Sequence, residues 1–350
     1  MERLVRDIFR SGGYVFATGA REIAARAGHR RPALLASNEN PFPPSPRAIS
    51  AAGEALATVN RYPDETGREL IAALERCHGR YRFVTGVGMD GVIETVIRTL
   101  VSPGDRVAVL EPTFSFYGLA ARAQGAVVER IARESDFSVD PGRVVRAAGD
   151  AKLTFLCSPN NPTGNATPPA IVREIAEGLD GMLFLDNAYV EFSGIDYRPL
   201  LECPNIILGR TFSKAYALAG LRIGYAFVPG WFEPYYRRAE TPFTLNAVSS
   251  AAAAAALADD EHRERTVSHI RSWRERMMDA CPFPVFPSDA NFFLVDVAPM
   301  TGEEAVAALA QQGVIVRSCT SFPGLGNHFI RVSIGDAWEN ELFLAEVTRL

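Results

Sequence analysis

The sequence has little that could be cross-linked or could hold a metal. Its five cysteines (Cys77, Cys157, Cys203, Cys281 and Cys319) are odd in number, far apart and never in a Cys-x-x-Cys pair. That argues against a disulfide framework and against a structural zinc site, and they read as reduced packing residues. Histidine is also scarce, with five in 350 residues. His262 and His269 are seven positions apart, about 10.5 Å along a helix, too far to share an ion, so no metal is expected. Positive charge is not in excess: 36 Lys and Arg against 41 Asp and Glu leave a net −5, which argues against nucleic acid as the main partner. No apolar run approaches the roughly 20 residues of a membrane helix. The longest candidate, around Ala251–Ala256, runs into Asp259-Asp260. The opening MERLVRDIFR scatters its charges and does not read as a signal peptide, so a cytoplasmic location is expected.

What is present is an ordinary globular composition, 47% hydrophobic and 22% charged, in an alternating pattern. Residues 64–78 carry apolar side chains at helical spacing and 82–85 form a short strand. Asp90 is placed to cap a helix that stops at Ser102-Pro103-Gly104-Asp105. Strand 106–110 and a helix to Gln124 follow, then strand 152–157 and a helix with Thr167 as N-cap and Pro168 at its first position. Strands are expected at 182–185, 205–208 and 221–228. They are apolar throughout rather than alternating, which indicates an α/β fold with a mainly parallel central sheet covered by helices on both faces. After Pro229 the texture becomes α+β. Helical sequence runs over 247–278 and a strand over 291–297. A capping box, Thr301-Gly-Glu-Glu304, precedes strands 314–317 and 329–334, and a last helix begins near Asp336. The expected division is a large α/β domain, 34–235, and a smaller α+β domain made from 1–33, an N-terminal arm, and 236–350.

Lys214 is the residue with the clearest chemical potential. A lysine becomes a nucleophile when burial or neighbouring cations lower its pKa. The run Arg210-Thr-Phe-Ser-Lys214 through Leu221-Arg222 sets Thr211, Ser213 and Arg222 beside it, hydroxyl and guanidinium donors suited to a phosphate. In a parallel sheet, ligands bind beyond the carboxyl ends of the strands. Gly86–Met89, Glu111–Phe114, Ser158–Gly164, Asp186–Tyr189 and Thr211–Lys214 all follow strands, so these segments should converge on one rim.

Ser158-Pro-Asn-Asn-Pro-Thr-Gly164, Asp186-Asn-Ala-Tyr189, Ser213-Lys214 and Leu221-Arg222-Ile-Gly-Tyr225 resemble the class I/II aminotransferases, pyridoxal-phosphate enzymes of fold type I. Within these the sequence is most similar to the histidinol-phosphate aminotransferases. That match rests on Ser37-Asn-Glu-Asn-Pro41 with Pro44-Ser-Pro46, Arg61-Tyr-Pro-Asp64, Glu111-Pro-Thr-Phe114 and Ala290-Asn-Phe-Phe293. It runs from about Tyr14 to the C-terminus. The resemblance implies pyridoxal 5'-phosphate as cofactor, with Lys214 as Schiff-base lysine and general acid/base. It implies that Asp186 lies on the ring nitrogen, that Asn161 and Tyr189 lie on the phenolic oxygen, and that Phe114 stacks on the ring. The phosphate would lie among Gly88, Met89, Thr211, Ser213 and Arg222, and Tyr62 would reach the phosphate of a neighbouring subunit, making a homodimer. Arg317 and Arg331 would hold the substrate's anionic group and Tyr14 would cover it. Two departures stand out: Gly86-Val-Gly-Met-Asp-Gly91 replaces the usual Gly-Asn-Gly-Ser-Asp-Glu, and Asn187 stands where glutamate is usual. The implied reaction interconverts imidazolyl-acetol phosphate plus L-glutamate and L-histidinol phosphate plus 2-oxoglutarate, in histidine biosynthesis. A threonine-phosphate decarboxylase of cobamide biosynthesis and a broad aromatic aminotransferase are the alternatives.

Overall fold

The computed structural model describes residues 2–10, 13 and 18–350. Its central sheet has seven strands: β1 (Arg82–Val87), β2 (Arg106–Glu111), β3 (Val127–Ala132), β4 (Leu153–Cys157), β5 (Met182–Asp186), β6 (Ile206–Thr211) and β7 (Ile223–Val228). Their spatial order is β1-β7-β6-β5-β4-β2-β3. The pairs from β3 through β6 are parallel, and β7 runs antiparallel to both β1 and β6. The fold is therefore α/β with a mostly parallel sheet, as the apolar strands indicated. Every residue of β4, β5, β6 and β7 is buried, because helices cover both faces. On one face Val92, Ile93 and Val96 of helix Gly88–Leu100 pack on Val84, Phe155 and Phe184. On the other, Val172 and Ile175 of helix Pro169–Gly178 pack with Leu156, Leu183 and Leu208.

Several expected local features differ. Helix Gly88–Leu100 begins two residues before Asp90, which sits in its first turn and does not cap it. The next predicted cap is Pro168 rather than Thr167, and the helix starts at Pro169. The helical stretch after residue 247 is two helices, Ala247–Leu257 and Asp260–Ala280, because the Asp259 side chain accepts from the His262 N–H and starts a second one. Edge strand β3 and helix Pro141–Ala148 were not anticipated.

Beyond the sheet, β8 (Phe292–Asp296), β9 (Arg317–Ser318) and β10 (Phe329–Ser333) form an antiparallel sheet in the order β9-β10-β8. The Thr301/Glu304 capping box opens helix Gly302–Gln311, and a second one at Asp336/Glu339 opens Ala337–Val347. Residues Val314–Ile315 do not continue into β9. They pair in parallel with Ala33–Leu34, so the segment that leads to the Ser37–Pro41 motif is tied to the later half of the chain. This places Ala36 to Asn40 against the carboxyl ends of β5 and β6.

Candidate active site

The carboxyl ends of β4, β5 and β6 open into a cavity of about 320 Å³. All of the candidate residues except Gly88, Tyr62 and Tyr14 line it. Asp186 ends β5 at its floor, Lys214 follows β6 on one wall, and Arg317 and Arg331 project from the antiparallel sheet on the other.

Lys214 is half-buried, and its amine donates to the Ser37 carbonyl at 3.3 Å. Its pKa is pushed down to about 8, first by burial, then by the Arg331 guanidinium and, more weakly, by Arg222. Glu39 and Asp90 pull the other way. The segment is pinned by Asn40, whose Nδ2 donates to the Lys214 carbonyl at 2.9 Å. A lysine in this state delivers an appreciable fraction of free amine near neutral pH, the form that attacks a carbonyl.

Asp186 is buried and its pKa is raised to about 6; burial is the main cause, opposed by hydrogen bonds. Oδ2 accepts the Tyr117 hydroxyl at 2.6 Å and Oδ1 accepts the Ala188 N–H at 3.0 Å. An acid held this deep, in no ion pair among the described residues, is suited to a ligand that brings a protonated nitrogen. Tyr189 accepts a hydrogen bond from Asn38 Nδ2 at 3.1 Å, which leaves its own proton for a ligand oxygen. Asn38, in a left-handed conformation (φ 53°), is in turn locked by Ser333 on β10. Its place in the Ser37–Pro41 motif was noted in the sequence, but its work on Tyr189 was not.

The anion cup forms where β1 ends beside the start of the antiparallel β7. The Gly88 N–H donates to the Arg222 carbonyl at 2.9 Å, and the following N–H groups at the helix start have no partner inside the helix. Gly88 has φ +69°, and a Cβ there would lie 2.6 Å from Arg222 Nη2, so only glycine leaves room for both the guanidinium and an anion. Thr211 and Ser213 lie alongside, the Ser213 N–H donating to Thr211 Oγ1 at 3.1 Å. Arg222 also has a positive φ (53°) and directs Nη2 at Asp90 Oδ2, 2.9 Å away. Asp90 therefore turns towards the cup, contrary to the capping role expected for it, and burial raises its pKa despite Arg222. The Met89 side chain turns into the core against Gly209, so its contribution to the cup is its backbone.

Arg317 and Arg331 stand directly opposite each other in the β9–β10 register, so they share one face. Like charges paired across a sheet destabilise it, which makes the arrangement costly without an anion between them. Both are buried. Arg331 donates from Nη1 to Asn161 Oδ1 and from Nη2 to the Ala36 carbonyl (2.6 Å), while its buried Nε has no partner among the described residues. Arg317 donates to Ser321 Oγ at 3.0 Å. Phe114 borders the same space, edge-on to Tyr117.

The remaining candidates lie apart. Tyr62 is 81% exposed and stacks on Phe243 at 4.5 Å, away from the cavity. Tyr14 lies outside the described residues. Asn187 does not face the cavity; its Nδ2 donates to the Ser158 carbonyl at 2.6 Å and braces the turn beside β4. Among the described residues no group of acidic, histidine and cysteine side chains could hold a metal ion, and no helix is long and apolar enough to cross a membrane.

A buried acid, a half-buried amine of lowered pKa and a glycine-lined anion cup fit pyridoxal phosphate: ring nitrogen to Asp186, aldehyde to Lys214, phosphate to the cup. Comparison with known proteins points the same way. The family described as Aminotransferase class I and II matches residues 31–347. A histidinol-phosphate aminotransferase of Methanoculleus marisnigri is 60% identical over 352 residues, covering 100% of both chains. One of Methanosphaerula palustris is 58% identical, again covering 100% of each. Among solved structures, the histidinol-phosphate aminotransferase of Sinorhizobium meliloti in complex with pyridoxal-5'-phosphate superposes with a TM-score of 0.87 at 26% identity, covering 99% of this chain and 96% of that one.

Proposed function

This chain belongs to the class I and II aminotransferases, and we propose that it exchanges an amino group between L-histidinol phosphate and 2-oxoglutarate, working reversibly in histidine biosynthesis. The observation that carries this reading is the buried, directly opposed pair Arg317 and Arg331, the Arg331 Nε having no partner among the described residues. Two guanidiniums on one face match a phosphate monoester on one substrate and the carboxylates of glutamate on the other. The high identity to relatives named for this activity supports the same choice.

Pyridoxal phosphate, when bound, supplies an electron sink for the bond broken at the substrate's Cα. This chain's residues do the rest. Asp186 holds a proton on the ring nitrogen, and Asn161 and Tyr189 hold the phenolic oxygen. Gly88, Met89, Thr211, Ser213 and Arg222 hold the phosphate, and Phe114 covers the ring. Lys214 would hold the aldehyde carbon, and its free Nζ would take up and return a proton at the substrate's Cα. A lysine with pKa about 8 is near the operating pH, where proton transfer in both directions is efficient.

Tyr62 is assigned to the phosphate of a second copy, and Tyr14 to covering the substrate. The exposed Tyr62–Phe243 stack, with Leu56 and Val59 exposed nearby in the sequence, supports a homodimer. Residues 34–235 form the cofactor domain and 1–33 with 236–350 the smaller one, and the enzyme works in the cytoplasm. The test is to offer the purified protein histidinol phosphate, phosphothreonine and phenylalanine side by side with 2-oxoglutarate, measuring glutamate and carbon dioxide. Glutamate formation is expected to be fastest with histidinol phosphate. Carbon dioxide release from phosphothreonine without glutamate would reject the assignment.

A further inference from the structure

We propose that Tyr117 is a positioning residue for Asp186: its hydroxyl holds that carboxylate ionised and aimed, so that the proton shared with the cofactor stays on the ring nitrogen. The inference rests on the assignment of Asp186 to that nitrogen.

Three observations carry it. The Tyr117 hydroxyl donates to Asp186 Oδ2 at 2.6 Å, and both residues are buried. The tyrosine ring cannot swing away, because it stacks on Phe155 (4.7 Å, 4° between planes) and meets Phe114 edge-on (5.5 Å, 84°). Among the described residues, Tyr117 is the side chain that hydrogen-bonds this carboxylate; the other donor is the Ala188 N–H on Oδ1. Among the described residues, the other charged or titratable groups that act on Asp186 are Cys157, Tyr189, Asp90 and Lys214. The Cys157 thiol, pushed up to about 12 chiefly by burial, is neutral and donates a hydrogen bond to the Pro159 carbonyl. Burial also raises the Tyr117 hydroxyl well above its ordinary range, so it remains a donor throughout.

One proton between two bases, a carboxylate oxygen and a pyridine-type nitrogen, settles on the more basic one. A hydroxyl that donates to the carboxylate stabilises its ionised form and lowers its basicity, which leaves the charge on the ring. A charge-assisted bond in a buried setting shifts such a proton equilibrium by about tenfold to a hundredfold. Ring charge is what makes the cofactor electron-withdrawing, so Tyr117 acts on catalysis through Asp186 and without touching substrate.

The experiment compares wild type with Tyr117→Phe. In cofactor-free protein, carbon-13 NMR of labelled aspartate reads the Asp186 titration. In protein loaded with ring-nitrogen-15 pyridoxal phosphate, the nitrogen resonance reads ring protonation. The expected result in Tyr117→Phe is an Asp186 titration about one to two units higher, a nitrogen resonance displaced towards neutral pyridine, and a lower kcat with KM for the amino donor little changed. An unchanged Asp186 titration and nitrogen resonance, even with weaker cofactor binding or lower thermal stability, would overturn the proposal, since a packing role alone gives that pattern. Fluorinated tyrosine at position 117 covers the case of a misfolded phenylalanine variant. It keeps the shape but donates more strongly, so it must lower the Asp186 titration, and no movement would again overturn the proposal. The cofactor-free titration does not depend on the identity of the substrate, so failure here is distinct from failure of the assigned reaction.

Discussion

Replacing Asp186 with asparagine should make the cofactor-free protein more stable while it disables the enzyme. The carboxyl titrates at about 6 in the folded chain against 3.8 for the free side chain, burial outweighing the bonds from Tyr117 and Ala188. Two units at about 1.4 kcal/mol each set the cost of the ionised group at about 3 kcal/mol at neutral pH. The folded protein binds its proton at the higher pH. Between about pH 4 and 6 it therefore holds more protons than the unfolded chain, and stability falls as pH rises. Asparagine removes the charge, and its new N–H can donate to the Tyr117 oxygen. Asp186→Asn is expected to raise the unfolding free energy of cofactor-free protein by about 1–3 kcal/mol near pH 7.5. About half of that gain should remain near pH 5, and none should remain below about pH 4. Urea denaturation at the two higher pH values measures it. A gain of the same size at both, or a loss at neutral pH, would refute the reasoning. With pyridoxal phosphate bound the order should invert, because a protonated ring nitrogen then compensates the aspartate.

Two more predictions concern the walls of the cavity. Arg317→Ala should raise KM for histidinol phosphate by about 10- to 100-fold, through loss of charge-assisted bonds. KM for phenylalanine should change by less than about threefold, and equal losses on both would place phosphate recognition elsewhere. Because the Lys214 amine titrates at about 8, the rate of pyridoxal phosphate uptake by cofactor-free protein should rise with pH through that value and level off above it. Stopped-flow absorbance reads this, and Lys214→Ala should develop no visible band at any pH; a pH-independent uptake rate would separate the lysine from cofactor capture.

Much of the sheet was legible because β4 to β7 are buried on both faces and must be apolar at every position, a pattern that no exposed element imitates. β3 was not legible for the converse reason. It is an edge strand carrying Glu129 and Arg130, and only Ile131 is buried, so Val-Val-Glu-Arg-Ile-Ala has neither an apolar run nor clean alternation. Helix Pro141–Ala148 does carry its signal in the sequence, with Asp140 as N-cap and proline at its first position. In the cavity, residues in strand-end motifs could be read because each follows an apolar strand. Tyr117 could not be: it lies one residue into a helix, where an aromatic reads as packing, and its pairing with Asp186 crosses 69 positions of sequence. The direction of Asp90 is not legible in the sequence, because an aspartate near a helix start ordinarily caps it. Here the helix begins at Gly88 and Arg222, folded back by its positive φ, draws the carboxylate outward.

The position of β7 has a consequence for how the chain is made. It is the last of the seven strands in sequence, yet it lies between the first and the sixth. During synthesis, β1 and β6 therefore wait with bare hydrogen-bonding edges until Val228 has left the ribosome. The anion cup, which needs Gly88 from one side of that gap and Arg222 from the other, cannot exist any earlier. A nascent or prematurely terminated chain that stops short of β7 has two sticky edges and no vitamin to shield it, so chaperones should meet this protein at that length.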